Sequence, residues 1–152
     1  MTKYDNMKNL ICTCVGTVGA AIADLFGGWN ASLTTLITFM IIDYVSGLVV
    51  AGIFKASTKT ESGALESNAG WKGLFKKGMT LLIVLISYRL DIAIGTNYIR
   101  DAVCIGFIAN ESISIIENAG LMGVPVPDAI VKAIDVLKNK SDAESEEKED
   151  GY

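Results

Sequence analysis

The chain has 152 residues, of which 51% are hydrophobic, and its mean hydropathy is +0.41. It is too apolar for an ordinary soluble domain of this length, and long enough for one compact unit. The net charge of −4 is uneven, because 141–152 holds six acids and one lysine and leaves the rest near +1. That body lacks the basic excess of a nucleic-acid-binding face. There is also no histidine, no phosphate-binding glycine motif and no nucleophile elbow, so we predict neither enzymatic activity nor a cofactor.

Four apolar segments approach the length of about 20 residues that a helix needs to cross a bilayer. In chain order they are 10–27, 31–54, 78–96 and 99–120. The first resembles a secretory signal, but the apolar segments that follow it favour an uncleaved span. We therefore expect an all-α membrane protein, with a small bundle of about four transmembrane helices in residues 1–120. The main alternative has three spans, with the first or the fourth segment lying on the membrane surface.

The lysines indicate an orientation for these segments. The loop 55–77 contains five lysines and two glutamates, a net charge of +3. Lysines in short loops mark the cytoplasmic side of a membrane. Lys3 and Lys8 place the N-terminus on the same side, so "GGWN" (27–30) becomes an external turn. Four spans would then leave both termini in the cytoplasm.

The region after the fourth segment changes character. Pro125 and Pro127 prevent the helix from continuing, and Pro127 can open a new one. Within 121–140, one face of that new helix is apolar and carries Ile130, Ala133, Ile134 and Leu137. This predicts a short amphipathic helix that lies on the membrane or on a partner helix. The acidic tail, 141–152, is expected to be disordered.

Each predicted span carries an ionisable residue. Asp24 lies near the external end of the first span, whereas Asp43, Arg89 and Glu111 lie at about one depth in the other three. Asp91 follows Arg89 in the third. A charge in the middle of a bilayer costs about 2.5–3.5 kcal/mol on insertion scales. We therefore predict that Asp43, Arg89 and Asp91 are buried ionic groups, and that Arg89 pairs with Asp43 or Glu111.

The fourth segment contains an unusually polar stretch, "ANESISIIENAG" (109–120). At 100° per residue, five of its polar side chains fall within about a third of the helix circumference. We call them the polar stripe: Asn110, Glu111, Ser114, Glu117 and Asn118. Either the stripe packs inside one small bundle, or several copies assemble so that their stripes line an aqueous hole. These arrangements can also be two states of one protein.

Small residues four apart would let helices approach closely, within the chain or between copies. Such pairs are Gly16 with Ala20, Gly47 with Ala51, and Ala102 with Gly106. The three cysteines, Cys12, Cys14 and Cys104, lie in apolar segments. Their spacing suits neither a disulfide framework nor a zinc site, which predicts buried, small apolar side chains.

Three stretches of the chain resemble the toxin-secretion/phage-lysis holin family. They are "FMIIDYVSGLVVA" (39–51), "KGLFKKG" (72–78) and, above all, "ANESISIIENAGLMGVPVP" (109–127). The resemblance implies a small protein that accumulates in the bacterial cytoplasmic membrane and oligomerises there into lesions. Such lesions release an endolysin or, in toxin loci, a large toxin. The alternative is a membrane regulator that oligomerises without making a hole, such as an antiholin.

Overall fold

The computed structural model describes residues 3–146, and within that range it contains helices and connecting turns but no strand. The prediction of an all-α protein is confirmed. The helices are α1 (Lys3–Leu25), α2 (Ala31–Val49), a π-helical segment (Val50–Phe54), α3 (Ser67–Ile94), α4 (Ile99–Leu121) and α5 (Asp128–Glu146). They belong to two compact units, Met1–Asn30 and Ala31–Tyr152.

The first unit consists of α1 and the turn that ends it. The Gly27 N–H donates to the Asp24 carbonyl (3.0 Å), and the Gly28 N–H donates to the Ala23 carbonyl (2.8 Å). This pair of bonds ends the helix at a glycine with φ of +78°, a conformation that costs side-chain-bearing residues more than glycine. In this unit Cys12 and Cys14 are exposed. The prediction that they are buried is wrong for these two.

In the second unit, α2 presents one continuous stripe of side chains to the other helices. Its buried residues are spaced alternately three and four apart, as expected for a helix that packs on one face. They are Leu33, Leu36, Met40 and Asp43, and the stripe continues through Gly47 to Val50 in the π-helical segment. The segment ends at Lys55, whose backbone is left-handed with φ of +51°. The whole helical stretch, 31–54, matches the second apolar segment of the sequence.

The helix α3 begins earlier than the sequence predicts. It starts at Ser67, 11 residues before Gly78, so the last part of the predicted 55–77 loop is helical. At 1.5 Å per residue its 28 residues extend about 42 Å. The reason for the difference is that the apolar-run criterion excludes lysines, although lysine is a good helix former. This extension carries Lys72, Lys76 and Lys77 on a helix.

A tight turn joins α3 to α4, and Asp91 holds it. Its carboxylate accepts hydrogen bonds from the Thr96 hydroxyl (2.7 Å), the Ile99 N–H (3.0 Å) and the Arg100 N–H (2.9 Å). The last two are amides of the first turn of α4, which have no partner within their own helix. Asp91 therefore caps α4 from the end of α3. The turn itself passes through Gly95, which has φ of +79°.

The last helix, α5, begins at Asp128, directly after Pro127, and packs on α4. Of its apolar residues Ile134 is buried, whereas Ile130, Val131 and Val136 are exposed. The helix continues to Glu146 and so includes the first part of the predicted acidic tail, 141–146. The remainder of the predicted acidic tail, 147–152, lies outside the described residues.

The core of the second unit is small, and α4 lies at its centre, in contact with α2, α3 and α5. Its largest fully buried side chains are Leu33, Leu36, Val50, Val84 and Cys104. The outer faces of α2 and α3 are also apolar, with exposed residues such as Ile41, Val45, Leu82 and Ile86. Continuous apolar surface of this kind is typical of membrane or protein contacts.

Two helical stretches are long and apolar enough to cross a membrane by length and composition, Tyr4–Leu25 and Ala31–Phe54. The helices α3 and α4 are long enough but carry more charged groups, among them Arg89, Asp91 and Glu111. The prediction of about four spans is therefore not confirmed.

Candidate functional site

One lysine connects two carboxylates from different helices inside the second unit. The Lys77 ammonium of α3 lies 2.8 Å from an Asp43 carboxylate oxygen on α2 and 2.5 Å from a Glu111 carboxylate oxygen on α4. All three side chains are largely buried, with 13% of Lys77 and 8% of each acid exposed. Two negative charges and one positive charge thus share one site, and Lys77 joins all three helices.

An amide and a hydroxyl extend this site along α2 and α4. The Asn118 side-chain amide donates to the Asp43 carboxylate at 3.2 Å and to the Ser46 hydroxyl at 2.8 Å. Ser46 in turn donates to the Asp43 backbone carbonyl at 3.0 Å. We refer to these five residues as the Lys77 network: Asp43, Ser46, Lys77, Glu111 and Asn118.

The three helices bring the network together through the same spacing of inward-facing residues. On α3 the inward positions are Lys77, Thr80, Val84, Ser87 and Asp91, and on α4 they are Cys104, Ile108, Glu111, Ile115 and Asn118. Both sets alternate between three and four residues, as the stripe on α2 does. Polar residues therefore occupy positions that apolar residues fill elsewhere in the same stripes. Gly47 faces Asn118, and a Cβ there would meet the Asn118 amide nitrogen at 3.8 Å, an ordinary contact that an alanine could also make.

Breaking such a network is costly in a dry environment. Removing one partner of a buried ion pair destabilises a protein by about 3–5 kcal/mol, because the other charge is left uncompensated. Lys77 compensates two carboxylates, so its ammonium is the group on which the arrangement depends most. As long as water is excluded from the site, the network therefore fixes the positions of α2, α3 and α4.

The structure places the predicted ionic residues differently from the sequence-based expectation. Asp43 and Glu111 share one site, but their cation is Lys77, and the predicted pairing with Arg89 is wrong. Arg89 lies on an exposed face of α3, 12 residues or about 18 Å beyond Lys77. The sequence analysis does not identify Lys77, because it is the last residue of the predicted loop 55–77 and its composition resembles that of the other lysines there. The signal that could have identified it is its spacing of 7 and 14 residues from Val84 and Asp91, the inward stripe of α3.

Asp91 is buried, as predicted for an ionic group, but it does not belong to the Lys77 network. Its oxygens cap α4 at the opposite end of α3. The neighbouring Arg100 lies over the Tyr88 ring, 5.5 Å from its centroid, and 3.4 Å from an Asp101 carboxylate oxygen. This end of the bundle is thus held by hydrogen bonds and a cation–π contact.

The polar stripe of α4 is divided between the inside and the surface of the unit. Glu111 and Asn118 are buried in the Lys77 network and Ser114 is half-buried, whereas Asn110 and Glu117 are exposed. Ser112, which the helical projection placed off the stripe, is buried and donates to the Ile108 carbonyl at 2.6 Å. In a single copy, the stripe is therefore partly packed and partly available.

The proposed helix-packing positions also differ in their surroundings. Gly47 faces Asn118 of α4, and Ala51 is buried in the π-helical segment. Gly106 is half-buried in α4. Gly16 and Ala20 lie on α1, where Gly16 has no atom within 4 Å of the position of a Cβ. Ala20 is exposed. Of these positions, Gly47 is the one that lies at the contact between α2 and α4.

A cavity of about 730 Å³ lies beside the network. Residues of α3 and α4 form most of its walls, and Asp43, Lys77 and Glu111 form part of its lining. Lys59 from the loop between the π-helical segment and α3, together with Lys72 and Lys76 of α3, also lines the cavity. The charged network is therefore next to a space that polar groups can enter.

Comparison with known proteins identifies the family. The sequence profile of the bacteriophage holin family matches residues 20–139. An uncharacterized 14.9 kDa protein of Clostridium perfringens is 33% identical over 90% of this chain and 98% of its own length. An uncharacterized protein of Listeria monocytogenes is 39% identical over 87% of the chain and 89% of its own length. A probable holin of Bacillus phage phi105 is 29% identical over 75% of the chain and 79% of its own length. No solved structure matches the chain. The matched region contains α2 to α4 and with them the whole Lys77 network, and the chain belongs to the bacteriophage holin family.

Proposed function

We propose that the chain is a holin that accumulates in the bacterial cytoplasmic membrane, oligomerises and forms lesions. In a phage these lesions would release an endolysin, and in a toxin locus a secreted toxin. Family membership and the similarity to a probable phage holin support this function. We further propose that the protein works without catalysis, as holins generally do, and that residues 1–120 are its membrane domain.

The observation that carries the proposal is the Lys77 network, which lies among helices whose outer faces are apolar. Glu111 and Asn118 belong to the polar stripe, and within one copy they are satisfied by α2 and α3. The same groups could be satisfied by water if copies assembled around an aqueous space. Neighbouring helices can cover this polar face in one state, and water can cover it in another. Such a face suits a protein that first accumulates without harm to the membrane and then forms a lesion.

The proposed transition exchanges one set of partners for another. In the closed state, Lys77 neutralises Asp43 and Glu111, and α4 stays against α2. In the lesion, α4 turns its stripe to a lumen, where water and ions solvate Asn110, Glu111, Ser114, Glu117 and Asn118. The exchange requires many copies, because only a large assembly encloses enough water to replace the buried contacts.

We propose that the chain crosses the membrane four times, with both termini and the lysine-rich loop in the cytoplasm. The positive-inside tendency supports this orientation, since four exposed lysines lie between the second and third apolar segments, Lys55, Lys59, Lys72 and Lys76. Single cysteines at Ser57 and Ser141, in a variant without the natural cysteines, would report it. We expect a membrane-impermeant thiol reagent to label neither position in intact cells. Labelling of either one from outside would rule out this topology.

Expression in a bacterium with a membrane-potential dye tests the function itself. We expect the potential to persist while the protein accumulates and then to collapse at a reproducible time. An antiholin, the alternative function, would accumulate to the same level and leave the potential intact. Parallel immunoblots of the membrane fraction are required, so that a persistent potential is compared at equal amounts of protein.

A further inference from the structure

The cavity beside the Lys77 network has the composition of an anion-binding site. Four lysines and two carboxylates line it, a formal balance of +2, and Thr80, Asn110 and Ser114 add polar groups. Its volume of about 730 Å³ lies within the usual range of about 300–1,000 Å³ for small-molecule sites. The lining lysines are Lys59, Lys72, Lys76 and Lys77.

Three of these lysines are available to a ligand. The Lys77 ammonium is engaged by Asp43 and Glu111. In the part of the chain that the structure describes, Lys59, Lys72 and Lys76 make no ion pair, and all three are exposed. Lys72 and Lys76 are also four residues apart on one face of α3, a spacing at which like charges destabilise a helix. A bound anion would relieve that repulsion.

The rest of the lining indicates which anion fits. Phe75 and Phe107 also line the cavity, and Phe75 is 70% exposed on α3. The apolar outer face of α3 continues from there through Met79, Leu82 and Ile86. A ligand with a phosphate for the lysines and hydrocarbon for the aromatic rim would match both parts. Basic pockets between membrane helices on the cytoplasmic side bind lipid headgroups in this way.

We propose that this cavity binds the phosphate of an anionic phospholipid headgroup, and that Lys59, Lys72 and Lys76 contact it. The lipid would hold the loop against α3 and α4 next to the Lys77 network. The proposal rests on placement of the chain in a membrane but not on lesion formation. Its test is therefore a binding measurement on protein that has not been triggered.

The test uses the full chain with Trp29→Phe, which leaves Trp71, adjacent to Lys72, as the single tryptophan. The protein is reconstituted in phosphatidylcholine vesicles at about 0.15 M salt. Trp71 fluorescence is then quenched with phosphatidylglycerol or phosphatidylcholine brominated on the acyl chains. We expect phosphatidylglycerol to bind at least about fivefold better than phosphatidylcholine, as one lysine–phosphate contact at a membrane surface would give.

The controls separate the site from general surface charge. Lys72→Gln with Lys76→Gln should abolish the preference, whereas Lys72→Arg with Lys76→Arg should keep it and shows that the altered helix still folds. Lys55→Gln removes a lysine of the same loop that does not line the cavity, and it should leave the preference unchanged. The proposal is overturned by equal quenching with both lipids in the natural sequence, or by equal losses in Lys55→Gln and the double variant. Displacement of brominated phosphatidylglycerol by millimolar inorganic phosphate would overturn it in favour of a free-phosphate site.

Discussion

Replacing Lys77 with methionine tests the network most severely. The substitution keeps much of the side-chain volume but leaves Asp43 and Glu111 together without their cation. The Lys77 side chain is 13% exposed and its ammonium lies within 2.8 Å of both acids. We therefore expect the cost of removing one partner of a buried ion pair, about 3–5 kcal/mol. For a chain of this size each kcal/mol lowers Tm by about 2–4 °C, so Tm should fall by about 6–20 °C.

Loss of helical circular dichroism on heating, in one nonionic detergent, measures this effect. Lys76→Met is the matched control, because Lys76 is exposed and makes no ion pair within the described residues. Its effect should stay within about 0.5 kcal/mol. Adding Asp43→Asn and Glu111→Gln to Lys77→Met should restore at least about half of the lost stability, since coupled groups are not additive. If Lys77→Met melts no lower than Lys76→Met, the network does not hold the bundle together and the reasoning fails.

Three further predictions concern single residues. Asp91→Ala removes the carboxylate that caps α4 and should cost about 0.5–2 kcal/mol in the same melting assay, while Asp24→Ala, at an exposed position of α1, should cost little. Gly95→Ala should lower the free energy of unfolding by about 1 kcal/mol, because φ at Gly95 is +79°. The control Gly78→Ala lies in a helix interior with open space around it and should be neutral or stabilising. Equal effects of the two substitutions would contradict the strained turn. Glu111→Gln and Glu117→Gln should accumulate normally but change the time of lysis or the ion preference of small lesions. The control Ser112→Ala should match the natural chain. If both glutamine variants keep the natural timing and selectivity, these carboxylates do not line the lesion.

The helices that the sequence predicts well are those whose apolar pattern starts and stops sharply. The second apolar segment coincides with α2 and its π-helical extension, and Pro127 is followed at once by α5. The fourth segment, 99–120, is close to α4, Ile99–Leu121. Helix periodicity and proline chemistry are local properties, so a single sequence carries them. The extended start of α3 is less visible, because lysines on a helix and lysines in a loop look alike in composition.

The partner of the buried acids depends on tertiary packing, and here the sequence misleads. A count of residues along a straight helix predicts Arg89 as the cation, because Lys77 falls in the predicted loop 55–77. Only the rotation of α3 decides between them, since it turns Lys77 inward and Arg89 outward. The division of the polar stripe has the same origin, because Glu111 and Glu117 belong to one face by projection, but Glu111 is buried and Glu117 is exposed.

The central claim, that the polar stripe leaves the bundle and lines water in the lesion, is tested most directly by thiol accessibility. Cys12, Cys14 and Cys104 are replaced first, and single cysteines are placed at Ser114, at Asn118 and, as the control, at Ile113 on the apolar side. A water-soluble thiol reagent is added before and after triggering. We expect Asn118, which is buried, to react only after triggering, and Ser114, which lines the cavity, to react faster after triggering than before it. Ile113 should react in neither state. Reaction at Ile113 as fast as at Ser114, or no reaction at either stripe position after lysis, would show that another segment builds the hole.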